Sequence, residues 1–335
     1  MISGFPKVSV CIPVYNGEDY IADAIESILS QTFESLELIV CDNCSTDNTA
    51  KVVGSFKDPR VKYIRNSQNL GLVGNANHCL DQAKGEYISI LHHDDMMMPE
   101  NLERKVRVLN ENPNVGFVHS DIMLINPRKE VIASNMWEED TRRDYIKNGF
   151  EVFQRYVLKM PLAASIFIGA VLARRSCYQH VGTFNPKFLH CNDSEMWLRM
   201  MLFYDVACIG IPLVKYRVHP LSTSTAWGDY TSAPYLQEHY KAVSFVFKSY
   251  EDRIPGGTGI QKKVRRAFGE RALELSVQSL SKGNRAAGKV FFKSAIEIHP
   301  FVFANIYFWK AAALLMAGDR AYRVYRSCKN NLFSR

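Results

Sequence analysis

The feature that most restricts the fold of this chain is a regular alternation, over residues 7–125, of short apolar runs with amphipathic stretches. VSVCIPV is followed by DYIADAIESILSQ, LELIVCD by TDNTAKVVGSF, VKYIR by GNANHCLDQAK and YISILH by ENLERKVRVLN, and VGFVHSDIMLI closes the series. The apolar runs suit strands, and the stretches between them suit helices. Strand and helix in alternation make an α/β fold, a mostly parallel sheet flanked by helices. Ile21, Ala24, Ile25, Ile28 and Leu29 recur at the helical period, and Pro99 sits where the helix after the fourth strand opens.

From about residue 140 to 220 the pattern turns irregular, with a helix expected near Tyr145–Lys159, an apolar segment Ser165–Leu172 and an amphipathic helix Ser194–Tyr204. Such a mixture suits a subdomain set on the first sheet. Residues 221–235, rich in Ser, Thr and Pro, read as a loop, and IPGGTG at 254–259 reads as a linker into helices. GNRAAGKVFFKSAIEIHP has the spacing of half a tetratricopeptide unit, but without a second copy it cannot stack into an array and reads as a helical hairpin.

A length of 335 residues with 47% hydrophobic content fills a real core, which excludes a mini-protein or a disordered tail. The net charge of +7 hides an asymmetry: residues 258–335 carry +11, and the rest of the chain −4. That basic tail, with its aromatic-rich segment Phe301–Trp309, fits either an anionic cytoplasmic membrane surface or a self-packed helical cap with a solvated basic face. No window holds the roughly 18 uninterrupted apolar residues of a span; Phe301–Gly318 comes nearest and is broken by Asn305 and Lys310. With the first strand beginning at Val8 there is no room for a signal peptide, so the eight scattered cysteines are expected to be reduced cytoplasmic thiols. Cys41 and Cys44 form a CxxC, but in a polar loop rather than at a helix start, which argues against redox use. No nucleic-acid partner is expected.

In an open parallel sheet, ligands bind at the carboxyl edge of the strands, so the residues that follow each strand are diagnostic. Pro13 to Gly17 follow the first, Asp42 to Asp47 the second, Asn66 to Gly71 the third, and His92, His93, Asp94 and Asp95 the fourth. Turn chemistry explains many Asn, Asp and Gly residues singly. Four polar loops on one edge make a site. Neither GxGxxG nor GxxxxGK[ST] is present, so a phosphate-bearing ligand would need a cation. Asp94 and Asp95 offer the hard oxygen ligands that Mg2+ or Mn2+ take when shared with phosphates, although an Asp ahead of Pro99 can also cap a helix.

With these loops in view, the sequence resembles the family 2 inverting glycosyltransferases, whose catalytic domain has the GT-A fold. The resemblance covers about residues 7–225 and rests on VSVCIPVYNGEDYI, DNCSTDNT, NLGLVGNANHCLDQAKGEYISILHHDD, NDSEMWLRM and YRVHPLSTS, in that order. It implies a catalytic domain over residues 1–225, with a nucleotide-sugar half at about 1–125 and an acceptor half at about 126–225, followed by a helical extension over 226–335. It implies a metal-dependent inverting transfer from a nucleotide-diphosphate donor, UDP-sugar by the family's pattern, to a hydroxyl of a glycan or lipid-linked acceptor, as in bacterial cell-surface polysaccharide assembly. By similarity, Pro13 and Tyr15 flank the base and Asp42 and Asn43 face its polar edge. Asn69, Gly71, Asn77, His92, Asp94 and Arg217 complete the donor site, and Asp94, Asp95 and His219 hold Mn2+ or Mg2+. NDSEMWLRM looks like the family's EDxDLWLRL segment, which puts the catalytic base at Asp193, with Glu195 as the rival carboxylate and a helix cap as the plainer reading of Asp193.

Three positions depart from the family pattern. Asn43 stands for the usual second Asp of the uracil loop, and its oxygen can still accept an imide N–H without bringing charge. His92 replaces the first Asp of DxD, and Ala76 stands where an arginine is common, leaving His78 as the nearest substitute. Two other readings stay open at this level. His92, His93, Asp94 and Asp95 could be zinc ligands of a hydrolase, although no HxH or HExxH spacing appears, and the altered loops could bind a nucleotide in a non-catalytic scaffold.

Overall fold

The computed structural model describes residues 6–134, 143–159, 166–220, 222 and 232–316. The chain divides into two compact units, Met1–Phe153 with Ser165–Thr225, and Gln154–Ala164 with Ala226–Arg335.

In the first unit β1 (Val8–Val14), β2 (Leu36–Asp42), β3 (Val61–Arg65) and β4 (Tyr87–Ile90) are the four apolar runs, parallel in the order β3-β2-β1-β4. β1 is buried along nearly its whole length because helices cover it, as a continuous apolar run requires. β3 lies at the sheet edge, and its Lys62 and Arg65 keep that edge polar. Between the strands run α1 (Ile21–Leu29), α2 (Thr49–Ser55) and α3 (Gly71–Gln82). Ile21, Ala24, Ile25 and Ile28 of α1 are fully buried, the stripe that the helical period marks. Glu37 is a charged residue inside β2 and stays there because Ser9 Oγ donates to it at 2.6 Å, Lys84 N–H at 2.9 Å, and Lys62 pairs with it.

The sheet continues through β5 (Met96–Met97), β6 (Val115–Ile125), β7 (Val131–Ser134), β8 (Tyr145–Lys147), β9 (Val171–Arg174) and β10 (Asp205–Arg217). Its main path is β3-β2-β1-β4-β9-β6-β10-β5, with β9 antiparallel to both β4 and β6. The helices of this region are α4 (Asn101–Glu111), α5 (Gly149–Lys159), α6 (Arg175–Val181) and α7 (Asn192–Met201). Here the sequence-based expectations need correcting. The helix expected from Tyr145 begins at Gly149, after a short strand, and the helix after Pro99 begins at Asn101. The irregular stretch before residue 220 hides a strand of 13 residues, β10, beside β6. Its register shifts on both sides of Pro212, which cannot donate to a ladder and is accommodated at a bulge, so the alternation is broken in the sequence but not in the sheet.

The second unit is helical: α8 (Ala233–Ser249), α9 (Gly257–Ser281), α10 (Arg285–Ile298) and α11 (Ile306–Met316). The expected linker IPGGTG is partly helix, since Gly256 takes a left-handed φ of 66° at the cap and α9 starts at the next residue. The hairpin at 283–300 is present as α10 folded back on α9, where Ser276 Oγ donates to the Gly288 carbonyl at 2.8 Å. A Cβ on Gly288 would meet Leu280 at 2.5 Å, so glycine permits the close approach. Among the described residues no helix is long and apolar enough to cross a membrane. The loop expected at 221–235 and the tail beyond 316 fall largely outside the described residues.

Candidate active site

The loops that leave β1, β2 and β3 are laced together at the carboxyl edge of the sheet. Asn16, in a left-handed conformation, donates its N–H to Ser45 Oγ at 2.9 Å and accepts from Thr46 N–H at 2.9 Å. Gly17 N–H donates to Thr49 Oγ1 at 2.9 Å, and a Cβ there would lie 2.5 Å from His93, so this glycine sets the approach of the first loop to the fourth. Tyr15 is 46% exposed and open to a ligand, with half-buried Pro13 nearby in the chain. Asp42 is fully buried, accepting from Ser45 N–H at 2.8 Å and from the Tyr63 hydroxyl.

Asn43 is the hub of a buried amide web. Its Nδ2 donates to Asn69 Oδ1 at 2.8 Å and to the Gly71 carbonyl at 3.2 Å, and its Oδ1 accepts from Leu70 N–H at 2.7 Å and from Asn66 Nδ2 at 3.1 Å. All its hydrogen-bonding positions are thereby used, and the side chain, expected to read a base, braces the loop that leads to Gly71. Gly71 itself has a φ of 74° and opens α3. Asn75 extends the web to Asn66 at 2.8 Å and to the Cys41 carbonyl at 2.9 Å, and His78 joins Asn66 at 2.7 Å. Sequence reasoning placed Asn66 in the third polar loop without a role and missed Asn75, for which the available signal was an Asn on the otherwise small and apolar inner face of a helix. Asn77, expected at the donor, pairs both side-chain atoms with the backbone of Phe184 at 2.9 Å and ties α3 to that segment.

After β4, one ligand atom each from His92, Asp94 and Asp95 lie within 4.8 Å of one another. Asp95 is buried; its Oδ1 accepts from Arg217 N–H at 2.9 Å, while Oδ2 has no hydrogen-bond partner and stands 3.7 Å from His92 Nδ1. Burial and then the charge of Asp94 push the Asp95 carboxyl well above its usual pKa. For Asp94 burial acts in the same direction, but attraction to His93 and His92 in their protonated forms and the hydrogen bond with His219 outweigh it and hold the carboxyl below its usual range. Burial lowers the pKa of His92, leaving a neutral imidazole able to coordinate. An orphaned buried carboxylate oxygen beside a second carboxylate and a neutral imidazole fits a divalent cation. Neither aspartate caps α4, whose N-cap position is Glu100.

His219, expected as a ligand, joins Asp94 Oδ2 through Nε2 at 3.0 Å, and His92, expected at the donor, lies in the convergent set. Arg217, expected on the diphosphate, has a fully buried side chain. Its Nε donates to the Asp94 carbonyl at 2.8 Å, Nη1 to the Pro127 carbonyl at 3.1 Å and Nη2 to Asp23 at 2.9 Å, with the guanidinium 4.7 Å from the Tyr20 ring. It positions the aspartates from behind, and Asp23, without any sequence signal, completes that arrangement. His93 is absent from the convergent set.

Asp193, expected on the acceptor side, lies in the first turn of α7, whose cap residue is Cys191, and its Oδ1 accepts from Ser194 N–H at 2.6 Å. Burial pushes its pKa up to about 6 against the Ser194 hydrogen bonds. Glu195 is fully buried and held at 2.9 Å through both oxygens by Arg199, which also reaches the Thr183 carbonyl at 2.8 Å. A carboxylate locked in that pair is structural.

A mostly parallel sheet with short antiparallel insertions, flanked by helices, is the architecture of the GT-A glycosyltransferases. Residues 9–164, just under half of the chain, match the family described as Glycosyl transferase family 2. It is 28% identical to the Escherichia coli UDP-Glc:alpha-D-GlcNAc-diphosphoundecaprenol beta-1,3-glucosyltransferase WfgD, over 70% of this chain and 90% of the relative. The chain spans 66% of the length of two uncharacterized Rickettsia glycosyltransferases to which it is 29% identical. Among solved structures it is similar to Staphylococcus aureus TarS in complex with UDP-GlcNAc, with a TM-score of 0.61 and 15% identity over 93% of this chain and 91% of that one. It is also similar to the Pyrobaculum calidifontis mannosyltransferase PcManGT in complex with GDP-Man and Mn2+, with a TM-score of 0.53 and 20% identity over 95% and 89% of the two chains.

Proposed function

We propose that this glycosyltransferase moves a sugar from a UDP-type nucleotide-diphosphate donor to a hydroxyl of a glycan or lipid-linked acceptor, with inversion and with a divalent cation, Mn2+ or Mg2+. The observation that carries the reading is the buried Asp95 Oδ2, without a partner, facing Asp94 and His92 across less than 4.8 Å. These three residues would hold the cation, which supplies charge for the diphosphate and Lewis acidity at the leaving oxygen. Tyr15 offers an exposed ring to the base, and the Asn43 web fixes the loop on its far side. Asp193 takes the proton of the attacking hydroxyl, a task suited to a carboxyl whose pKa is raised yet still ionised near neutral pH. The donors named for WfgD and TarS support a UDP-sugar, and the Mn2+ of PcManGT supports the cation.

The test is calorimetric titration of UDP into the purified protein with Mn2+ and with excess chelator. Binding should be lost on chelation and in Asp94→Ala; equal affinity in all three samples would overturn metal-dependent donor binding. Analysis of the product's anomeric configuration checks inversion.

A further inference from the structure

Helix α11 is apolar on two faces. Its inner face packs through Ala311, Leu314 and Leu315 against Val277 and Leu280 of α9. Its outer face carries Ile306, Trp309, Ala313 and Met316, spaced three, four and three residues apart, with Ile306 79%, Trp309 63% and Met316 81% exposed. Phe301 and Phe303, just before the helix, are 68% and 51% exposed, and their rings lie 6.1 Å apart. A helix face rich in apolar residues is normally buried, and a row of exposed ones along α11 marks an interaction surface. At 11 residues the helix is about 16 Å long, too short to span a bilayer.

The charge around the patch selects its partner. Residues 257–316 hold ten Lys and Arg against three Glu. Lys310 is exposed on α11 itself, and Lys289 and Lys293 are exposed on α10. Glu270, Arg266 and Arg265 of α9 act electrostatically on His299, whose ring lies 6.2 Å from that of Phe301, so two cations and one carboxylate lie near the aromatic end of the patch. Bulky aromatic residues beside exposed cations match the interface of an anionic bilayer, where rings enter the headgroup boundary and Lys and Arg meet phosphate.

We propose that the face formed by Phe301, Phe303, Ile306, Trp309 and Met316 docks the protein on an anionic lipid surface without crossing it. Docking there would bring a lipid-linked acceptor to the enzyme. The surface acts without donor or metal, so its test is independent of the transferase reading.

Full-length protein is floated with vesicles of phosphatidylglycerol and phosphatidylcholine in equal parts, and with phosphatidylcholine alone, at low and high salt. The expected result is binding to the anionic vesicles that weakens with salt and falls by about tenfold or more in Phe301→Ser/Trp309→Ser, with an unchanged melting temperature. Absence of flotation at low salt, or equal flotation of the variant, overturns the proposal. So does a wild-type dimer in light scattering that the variant loses, which assigns the face to a second copy of the chain. A chain ending at residue 316 that floats while the full chain does not overturns it as well, by showing that residues 317–335 cover the face.

Discussion

The backbone N–H of Arg217 donates to Asp95 Oδ1 at 2.9 Å while its guanidinium is buried against Asp23, the Asp94 carbonyl and the Pro127 carbonyl, so the end of β10 holds the aspartate pair after β4 in place. A buried cation shared among these acceptors is costly to remove, because each is left without a partner. Arg217→Met is expected to lower the unfolding free energy by about 3–5 kcal/mol in urea denaturation. Arg217→Lys keeps the charge but loses the planar fork, and its stability should fall between the two. Both variants should bind Mn2+ more weakly, since the Asp94 carbonyl loses the guanidinium bond that fixes the backbone there.

The raised pKa of Asp193 predicts a pH profile. A base must be ionised, so transfer should rise with pH through about 6 and then level off. Asp193→Asn should lower the rate by about 10²-fold or more, leave UDP binding near normal and abolish that limb of the profile. Stability runs the other way. A carboxyl with a raised folded pKa favours the folded state below its unfolded pKa of about 3.9. That contribution is lost as pH rises through about 6, so Asp193→Asn should melt higher than the wild type at pH 8 and no higher at pH 4.

Lys105 is fully buried on α4 and donates to the Ala170 carbonyl at 2.6 Å, and burial pushes its pKa down to about 7. The folded state therefore resists protonation of this amine. The penalty is full below about pH 7 and is relieved as pH rises toward the unfolded value near 10.4. Lys105→Met keeps the volume and removes the charge, so its gain in melting temperature should be larger at pH 6 than at pH 9. Equal gains at both would show that the amine stays protonated in the fold.

Asn43 makes its four hydrogen bonds as two donations and two acceptances. Asp at this position can still accept from Leu70 N–H and Asn66, but its second oxygen faces Asn69 Oδ1 and the Gly71 carbonyl. Asn43→Asp is therefore expected to cost about 1–3 kcal/mol in denaturant unfolding. Asn43→Ala, which abandons the whole set, should cost at least as much, and both should weaken UDP binding through the displaced loop.

Much of the fold over residues 7–125 was legible from residue pattern alone, because its strands are continuous apolar runs and its helices carry one buried stripe. The four polar loops followed from where those strands end. The second half was not legible in the same way. β9 has four residues, and β10 carries Gly210 and Pro212, so neither shows a clean alternation, and both are strands because β6 offers them a ladder.

The amino-acid sequence by itself determined that the chain folds as an α/β protein with a polar carboxyl edge that carries Asp94 and Asp95, since periodicity and loop composition are local properties, whereas Asp193 was marked by the resemblance of NDSEMWLRM to a family segment. Tertiary structure decided the division of labour among those residues. Arg217 and Glu195 look functional in a motif, yet one is buried behind the aspartates and the other is closed in a pair with Arg199. His92 joins the carboxylates while His219 reaches them through Asp94. Each outcome depends on which groups, distant in the chain, come within hydrogen-bonding distance and which are cut off from water, and only the packed fold sets those distances.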